Sequence, residues 1–117
     1  MSRVALVTGG TRGIGASIST GLKEAGYTVA AAYAGNDEKA NAFKAETGIA
    51  VYKFAVSAFD AVQAAVKQIE ADLGPIEILV NNAGITRDGT MHRMNAEQWQ
   101  AVLDTNLGSC FNCCRAV

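Results

Sequence analysis

The stretch Val4–Gly15, VALVTGGTRGIG, decides the fold of this chain. It opens with a short apolar run that is typical of a buried strand, and it breaks at Thr8 into a glycine-rich turn. After the turn, Ile14, Ile18 and Leu22 recur at helical spacing. A strand, a glycine turn and a helix start in this order are typical of a cradle for a dinucleotide pyrophosphate. The alternative interpretation is a glycine-rich turn that binds no ligand.

The composition excludes several classes of protein. The chain has 117 residues, is 50% hydrophobic and carries a formal net charge of −1, which fits one globular domain with a buried core. This charge balance provides no basic surface for nucleic acid and no polybasic cluster for a membrane. The apolar run near the N-terminus is too short for a signal peptide or a membrane span. We therefore expect a cytoplasmic chain that binds neither nucleic acid nor membrane.

Three cysteines, Cys110, Cys113 and Cys114, lie close together near the C-terminus. The first two form a C-x-x-C pair, but the sequence context of a redox pair and the second ligand pair of a zinc site are both missing. Cys110 and Cys114 share a helical spacing with Leu103 and Leu107. We therefore expect Cys110 and Cys114 to be small buried thiols on a core-facing helix, and we expect no metal site.

Glycines and apolar runs divide the rest of the chain into alternating helices and strands. The predicted elements after the first strand are a helix over 12–25, a strand over 28–33, a helix over 38–47, a strand over 49–56, a helix over 58–73 capped by Ser57, a strand over 76–80, and a last helix over 96–117 opened by Asn95 and Gln98.

This alternation predicts an α/β fold with a parallel sheet, because the strands are short and apolar on both faces. Right-handed crossovers give the strand order 3-2-1-4 and place helices on both faces, as in a doubly wound, Rossmann-like domain over 1–117. The order reverses between the first and fourth strands, so a ligand is expected above their carboxyl ends. There the glycine turn meets the loop that follows the fourth strand.

Two polar features strengthen the prediction of a ligand site. Asn81, Asn82, Ala83 and Gly84 directly follow the fourth strand, where amide side chains can bond across a crevice and small residues leave room for a flat ligand. Asn106 is a polar residue within the last predicted helix, and a buried helical Asn needs partners. The alternatives are an ordinary Asn/Gly turn and a partly exposed Asn that bonds to backbone or water.

These motifs together resemble the cofactor half of the short-chain dehydrogenase/reductase family. The resemblance implies cofactor binding by Gly9, Thr11, Arg12, Gly13, Ile14, Gly15, Tyr33, Asn81, Asn82, Ala83 and Gly84, and a supporting catalytic role for Asn106. Within the family, the chain looks most like the NADPH-dependent acetoacetyl-CoA reductases of polyhydroxyalkanoate synthesis. The 3-oxoacyl-[acyl-carrier-protein] reductases are the alternative relatives.

The residues after the second strand favour NADP over NAD. NAD-binding domains of this type have an Asp or Glu about twenty residues past the glycines, and its carboxylate binds the ribose 2′-hydroxyl. The sequence has Tyr33, Ala34 and Gly35 there, with no carboxylate before Asp37. Arg12 in the glycine turn can reach a 2′-phosphate. The alternative for Arg12 is a solvated surface side chain.

Two departures from the family pattern matter. The family usually carries an Asp after the third strand that holds the adenine, and the matching position here is Ala55. The family's catalytic Ser, Tyr and Lys have no counterpart, because no Tyr of this chain has a Lys four residues on. The resemblance therefore implies the N-terminal half of a reductase, with an acyl-CoA substrate in the parent protein, that binds NADP weakly and does not catalyse.

Other interpretations of such a half remain open. It is equally a shortened or designed scaffold without enzymatic role, or a half that works only when the missing piece is supplied. The fourth strand is predicted to be an exposed edge, so self-association through that edge or through the last helix is expected.

Overall fold

A computed structural model describes residues 3–82, residue 97 and residues 109–116. Strands and helices alternate within this part of the chain. In chain order they are β1 (Val4–Thr8), α1 (Gly13–Glu24), β2 (Thr28–Tyr33), α2 (Asp37–Thr47), β3 (Ala50–Lys53), α3 (Phe59–Leu73), β4 (Ile76–Val80) and α4 (Ser109–Ala116).

The four strands form one parallel sheet in the order β3-β2-β1-β4, which confirms the predicted order. β1 lies in the middle and all five of its residues are buried. In the register, Val7 pairs with Ala31 of β2 on one side and with Val80 of β4 on the other. The carboxyl ends of these three strands therefore meet at the same edge of the sheet, as the doubly wound topology requires.

Helices cover both faces of the sheet, again as predicted. On one face α1 and α2 pack over alternate sheet residues, and on the other face α3 and α4 pack over the intervening ones. The first face is formed around Val7, Val29, Ala31, Phe43 and Ile49, and the second around Val4, Leu6, Ala30, Ala32, Phe54, Val56, Val62, Val66, Ile69, Ile76 and Cys113. The period-two alternation along β1 and β2 thus divides one apolar sheet between two cores.

Two predicted boundaries are wrong. The third strand ends at Lys53 rather than Val56, because β2 ends at Tyr33 and the last bond of the pair is the Phe54 N–H to the Tyr33 carbonyl oxygen. The N-cap of α3 is Ala58 and not Ser57. Ala58 has no hydroxyl or carboxylate, so the N-cap residue makes no side-chain hydrogen bond to the start of this helix.

The apolar spacing along α1 does not translate into burial at every position. Ile18 and Leu22 pack into the core, whereas Ile14, in the first turn of the helix, is 76% exposed. The predicted burial of Cys114 is wrong, because Cys114 is exposed, whereas Cys113 is buried against α3. The Cys110 side chain lies outside the described residues.

Within the described ranges, no helix is long and apolar enough to cross a membrane.

Candidate functional site

A cleft of about 550 Å³ lies above the carboxyl ends of β1, β2 and β3. Its size falls within the range of roughly 300–1,000 Å³ that is typical of small-molecule sites. The residues that line it come from the glycine turn, the β2–α2 connection and the ends of β3 and β4: Gly9, Thr11, Arg12, Gly13, Ala32, Tyr33, Ala34, Gly35, Asn36, Lys39, Phe54, Val56 and Asn82. The cleft lies at the carboxyl edge of the sheet, as predicted, but it extends over β2 and β3, and Asn82 is its contribution from the end of β4.

The glycine turn requires glycine at two positions, for different reasons. Gly13 has φ +57°, a left-handed conformation that other residues adopt only at a cost. Gly15 has ordinary helical geometry, but a Cβ there would overlap the Gly9 carbonyl oxygen and lie 2.6 Å from Asn82 Nδ2. The close approach of α1 to the turn thus requires a residue without a side chain at position 15.

Asn82 connects the end of β4 to the glycine turn through hydrogen bonds. Its backbone N–H donates to Thr8 Oγ1 at 3.0 Å, and its side-chain Nδ2 donates to the Gly9 carbonyl oxygen at 3.2 Å. Thr8 Oγ1 in turn donates to the Val80 carbonyl oxygen at 3.3 Å. The two strand ends at the topological switch point are therefore held together by polar contacts, and the position of the Gly9 carbonyl is fixed.

The N-terminus of α1 is open toward the cleft. Its N-cap is Arg12, and none of the described side chains bonds to the free N–H groups of its first turn. The first turn, 13–16, contains no acidic residue, so the partial positive charge of the helix start is not offset locally. Both Arg12 and Gly13 line the cleft, and this end of the helix is suited to receive an anion.

The N-terminus of α2 lies on the same cleft but is closed. The side-chain oxygen of Asn36 accepts a hydrogen bond from the backbone N–H of Lys39 at 3.0 Å, which caps the helix. The first turn also carries two carboxylates, Asp37 and Glu38. Lys39 lines the cleft together with Arg12, so two cationic side chains border the region next to the end of β2.

Asp37 is held by two neighbours. Lys53 Nζ lies 3.2 Å from each carboxylate oxygen of Asp37, and the Tyr33 hydroxyl interacts with the same carboxylate. These contacts, with the hydrogen bond from Lys53 as the largest cause, lower the pKa of Asp37 below its usual value. Burial and the Asp37 carboxylate raise the pKa of Tyr33. Asp37 is therefore ionised at neutral pH and already paired.

The far wall of the cleft is apolar. Phe54 and Val56 are 8% and 7% exposed, and with Ala32 they line the side of the cleft next to β3. Ala55, between them, is exposed and does not belong to the lining. This wall is apolar and has no carboxylate at position 55 that could hold an aromatic base by a hydrogen bond.

The structure places most of the predicted site residues together. Gly9, Thr11, Arg12, Gly13, Tyr33 and Asn82 line the cleft, and Gly15 lies directly behind it. Asn81 points elsewhere, since its Nδ2 donates to Cys114 Sγ at 3.6 Å, and Ile14 projects from the helix start into solvent. Ala83, Gly84, Asn106 and the proposed cap at Asn95 and Gln98 lie outside the described residues.

Seven lining residues were not predicted as site residues from the sequence: Ala32, Ala34, Gly35, Asn36, Lys39, Phe54 and Val56. The Asn36 and Lys39 pair carried a usable signal, because an Asn three residues before a Lys at a helix start places that Lys in the first turn. Phe54 and Val56 carried none, because an apolar residue after a strand is read as core. Within the described ranges, no group of three or more His, Cys, Asp or Glu side chains could hold a metal ion.

Comparison with known proteins agrees with this geometry. The family model for short chain dehydrogenase matches residues 3–117. The chain is 64% identical to the acetoacetyl-CoA reductase of Shinella zoogloeoides and 63% identical to that of Paracoccus denitrificans, in each case over 96% of this chain and 46% of the relative. A 3-oxoacyl-[acyl-carrier-protein] reductase of Staphylococcus aureus is 48% identical over 97% of this chain and 48% of its own length.

A solved structure shares the fold. A double mutant of a Serratia marcescens short-chain dehydrogenase/reductase superposes with a TM-score of 0.92 at 32% identity, over 97% of this chain and 49% of that one. The chain thus spans about half the length of the relatives that it matches. Sequence, fold and cleft agree, and the chain belongs to the short chain dehydrogenase family.

Proposed function

We propose that this chain forms the NADP-binding part of a reductase that acts on a 3-oxoacyl thioester, with acetoacetyl-CoA as the favoured substrate. The open N-terminus of α1 is the single observation that carries the proposal. It places unpaired N–H groups, a helix dipole and Arg12 at the cleft. A bound NADPH supplies a hydride for reduction of the keto group.

Each part of the cleft has a role in this proposal. The first turn of α1 receives the pyrophosphate, and Gly13 and Gly15 permit the close approach. The apolar wall of Phe54 and Val56 receives the adenine. Arg12 and Lys39 receive the 2′-phosphate of NADP, because paired cations suit a group of nearly two negative charges. Asn82 keeps the Gly9 carbonyl in place and so preserves the shape of the turn.

The substrate part of the proposal rests on the relatives. Identity of 62–64% to three acetoacetyl-CoA reductases exceeds the 48% to a 3-oxoacyl-[acyl-carrier-protein] reductase. We also propose, as further parts of this function, a place in polyhydroxyalkanoate synthesis and a cytoplasmic location. Reduction of an acyl-carrier-protein thioester is the second candidate, and the two are separated by assaying both substrates with NADPH.

Catalysis belongs to the whole reductase in this proposal. The 117 residues contain no Tyr followed four residues on by a Lys, so this chain alone is expected to bind NADP weakly without turnover. Asn106 then has a supporting role only. Turnover of acetoacetyl-CoA by the purified chain would contradict this point, and absence of cofactor binding would favour a scaffold without enzymatic role.

The cofactor preference is tested with 2′,5′-ADP and 5′-AMP, which differ only in the 2′-phosphate. Calorimetric titration of the 117-residue chain is expected to show tighter binding of 2′,5′-ADP. In the variant Arg12→Met, 2′,5′-ADP should bind about tenfold more weakly, the scale of one charge-assisted hydrogen bond, while 5′-AMP is unaffected. Equal affinities for the two ligands in the unaltered chain would overturn the preference for NADP.

Self-association is a further part of the proposal. β4 is at the end of the strand order, and its residues Ile78, Leu79 and Val80 are only half-buried. An edge of this kind, or the exposed side of α4 with Cys114, is suited to pair with a second copy. Light scattering at increasing concentration should show a mass above that of the monomer, and a constant monomer mass would contradict this.

A further inference from the structure

The carboxylate of Asp37 is close to the cofactor cleft along the chain but does not line it. Asn36 and Lys39, on either side of Asp37 along the chain, both line the cleft, whereas Asp37 does not belong to its described lining. The Asp37 carboxylate instead faces Lys53 on β3, with Nζ at 3.2 Å from both oxygens. The Asp37 and Lys53 side chains are 57% and 53% exposed, so this is a surface ion pair with an orienting role rather than a large stabilising one.

Tyr33 connects this ion pair to the cleft. Tyr33 lines the cleft, and burial together with the nearby Asp37 carboxylate raises the pKa of its hydroxyl. The carboxylate is therefore next to the cleft, within one side chain of the region that Arg12 and Lys39 border. A free carboxylate in this region would repel a 2′-phosphate and accept a hydrogen bond from a 2′-hydroxyl. The direction of the Asp37 side chain thus bears on the choice between the two cofactors.

We propose that Lys53 is a positioning residue for cofactor choice, which holds the Asp37 carboxylate away from the adenosine ribose and so keeps the 2′-phosphate subsite accessible. This rests on the proposed binding of NADP in the cleft. Lys53 acts through Asp37 and does not touch the cofactor. Loss of Lys53 frees the carboxylate to turn toward the ribose, where it favours a hydroxyl over a phosphate.

The test compares four chains with two ligands. Calorimetric titrations with 2′,5′-ADP and 5′-AMP are made on the 117-residue chain and on Lys53→Met, Asp37→Asn and the double variant. In Lys53→Met, 2′,5′-ADP should bind about threefold more weakly and 5′-AMP about threefold more tightly, the scale of an exposed charge interaction. The gain for 5′-AMP should vanish in the double variant, because it requires the Asp37 carboxylate.

Two further variants separate positioning from simple charge. Lys53→Arg restores a cation opposite Asp37 and should return both affinities to those of the unaltered chain. Lys67→Met removes the same charge from the exposed surface of α3, on the opposite face of the sheet, and should leave both affinities unchanged. A loss of charge alone would weaken 2′,5′-ADP without strengthening 5′-AMP.

The outcomes of these titrations distinguish failure of this inference from failure of the proposed NADP-binding function on which it rests. If the unaltered chain binds neither ligand, the proposed function fails and the inference fails with it. If the unaltered chain prefers 2′,5′-ADP and Lys53→Met leaves the ratio of affinities unchanged, only the inference is overturned. A 5′-AMP gain that persists in the double variant also overturns it, because the effect would not pass through Asp37.

Discussion

The N-termini of α1 and α2 lie on the same cleft, yet one is open and the other closed. α1 begins after Arg12 without a side-chain cap from any described residue, and its first turn has no acidic residue. α2 begins with an Asn36 cap and carries Asp37 and Glu38 in its first turn. A capped, acidic helix start stabilises its own helix, whereas an open one leaves its N–H groups for a ligand. The difference identifies which of two neighbouring helices receives an anion.

The N-termini of α1 and α2 also differ in the interactions that stabilise them. The turn before α1 depends on backbone conformation and on close packing of Gly15 against Gly9 and Asn82. The start of α2 depends on exposed polar side chains, which pair with one another and with Lys53. Substitutions should therefore be costly at the first and mild at the second.

The largest expected effect follows substitution of Gly15 by Ala. Because the added Cβ overlaps the Gly9 carbonyl oxygen, α1 must move away from the turn, and we expect a loss of about 3 kcal/mol in the free energy of unfolding. Gly21 in the same helix is the matched control, since an added Cβ would meet no described atom within 4 Å. Gly21→Ala should stabilise by about 1 kcal/mol through helix propensity. Equal effects in urea denaturation would show that the turn is not close-packed.

A smaller loss is expected when the cap of α2 is removed. Asn36→Ala leaves the Lys39 N–H without its side-chain acceptor, which should cost about 1 kcal/mol of stability in urea denaturation. Asn41→Ala, on the exposed middle of the same helix, is the control and should be neutral or slightly stabilising. If Asn36→Ala were as mild as Asn41→Ala, the α2 start would not be closed by this side chain.

The start of α3 provides a third case, because it lacks a side-chain cap but does not line the cleft. Its N-cap, Ala58, has φ −106° and ψ 107°, which a Ser adopts readily. Ala58→Ser should therefore raise the free energy of unfolding by about 1 kcal/mol and leave 2′,5′-ADP affinity unchanged. The exposed Ala64→Ser within α3 serves as control and should be slightly destabilising. No gain from Ala58→Ser would mean that another group already satisfies this helix start.

The smallest effect concerns Tyr52 and Asp72, a tyrosine–aspartate contact like that of Tyr33 and Asp37. Burial, with a hydrogen bond to Asp72 at 3.0 Å, raises the pKa of Tyr52 to about 12. An unfolded Tyr loses its proton near pH 10, so the stability from this contact is complete below that pH and is lost as the pH rises to about 12.

Because the hydrogen bond between Tyr52 and Asp72 is exposed to solvent, this contribution should stay below about 1 kcal/mol. The free energy of unfolding is measured at pH 9 and pH 11.5 for the unaltered chain and for Tyr52→Phe. The contribution of the contact is the extra stability that the unaltered chain loses between the two pH values. Identical losses in the two proteins would contradict the raised pKa.

The fold could be predicted from the sequence because its signals are local and agree with one another. Apolar runs predicted the strands, glycines predicted the helix ends, and the handedness of crossovers then fixed the strand order. The structure differs from the sequence pattern where the environment of a residue depends on parts of the chain that are distant in sequence. Ile14 continues the apolar spacing of Ile18 and Leu22, but it lies beyond the end of the sheet and is exposed. Ser57 looks like a cap, yet the helix begins one residue later than this requires.

The sequence predicted the glycine turn of the site and part of its polar lining, namely Arg12, Tyr33 and Asn82. The glycine turn is encoded by residue types that few other conformations need, so its members were recognised together. Phe54 and Val56 of the apolar wall were missed because their role depends on which side of the cleft they reach, and spacing along the chain does not specify this. The ion pair between Asp37 and Lys53 could not be predicted either, since Asp37 is on α2 and Lys53 is on β3.

The most direct test of the account follows backbone amides during titration with NADPH. In two-dimensional ¹⁵N spectra of the 117-residue chain, the account predicts saturable shifts that are largest for Gly13, Ile14 and Gly15 at the open start of α1. The first turn of α2 should move less with NADH than with NADPH, because only NADPH carries a 2′-phosphate. Shifts that leave the start of α1 unaffected, or an absence of saturable shifts, would contradict the claim that this helix start binds the cofactor.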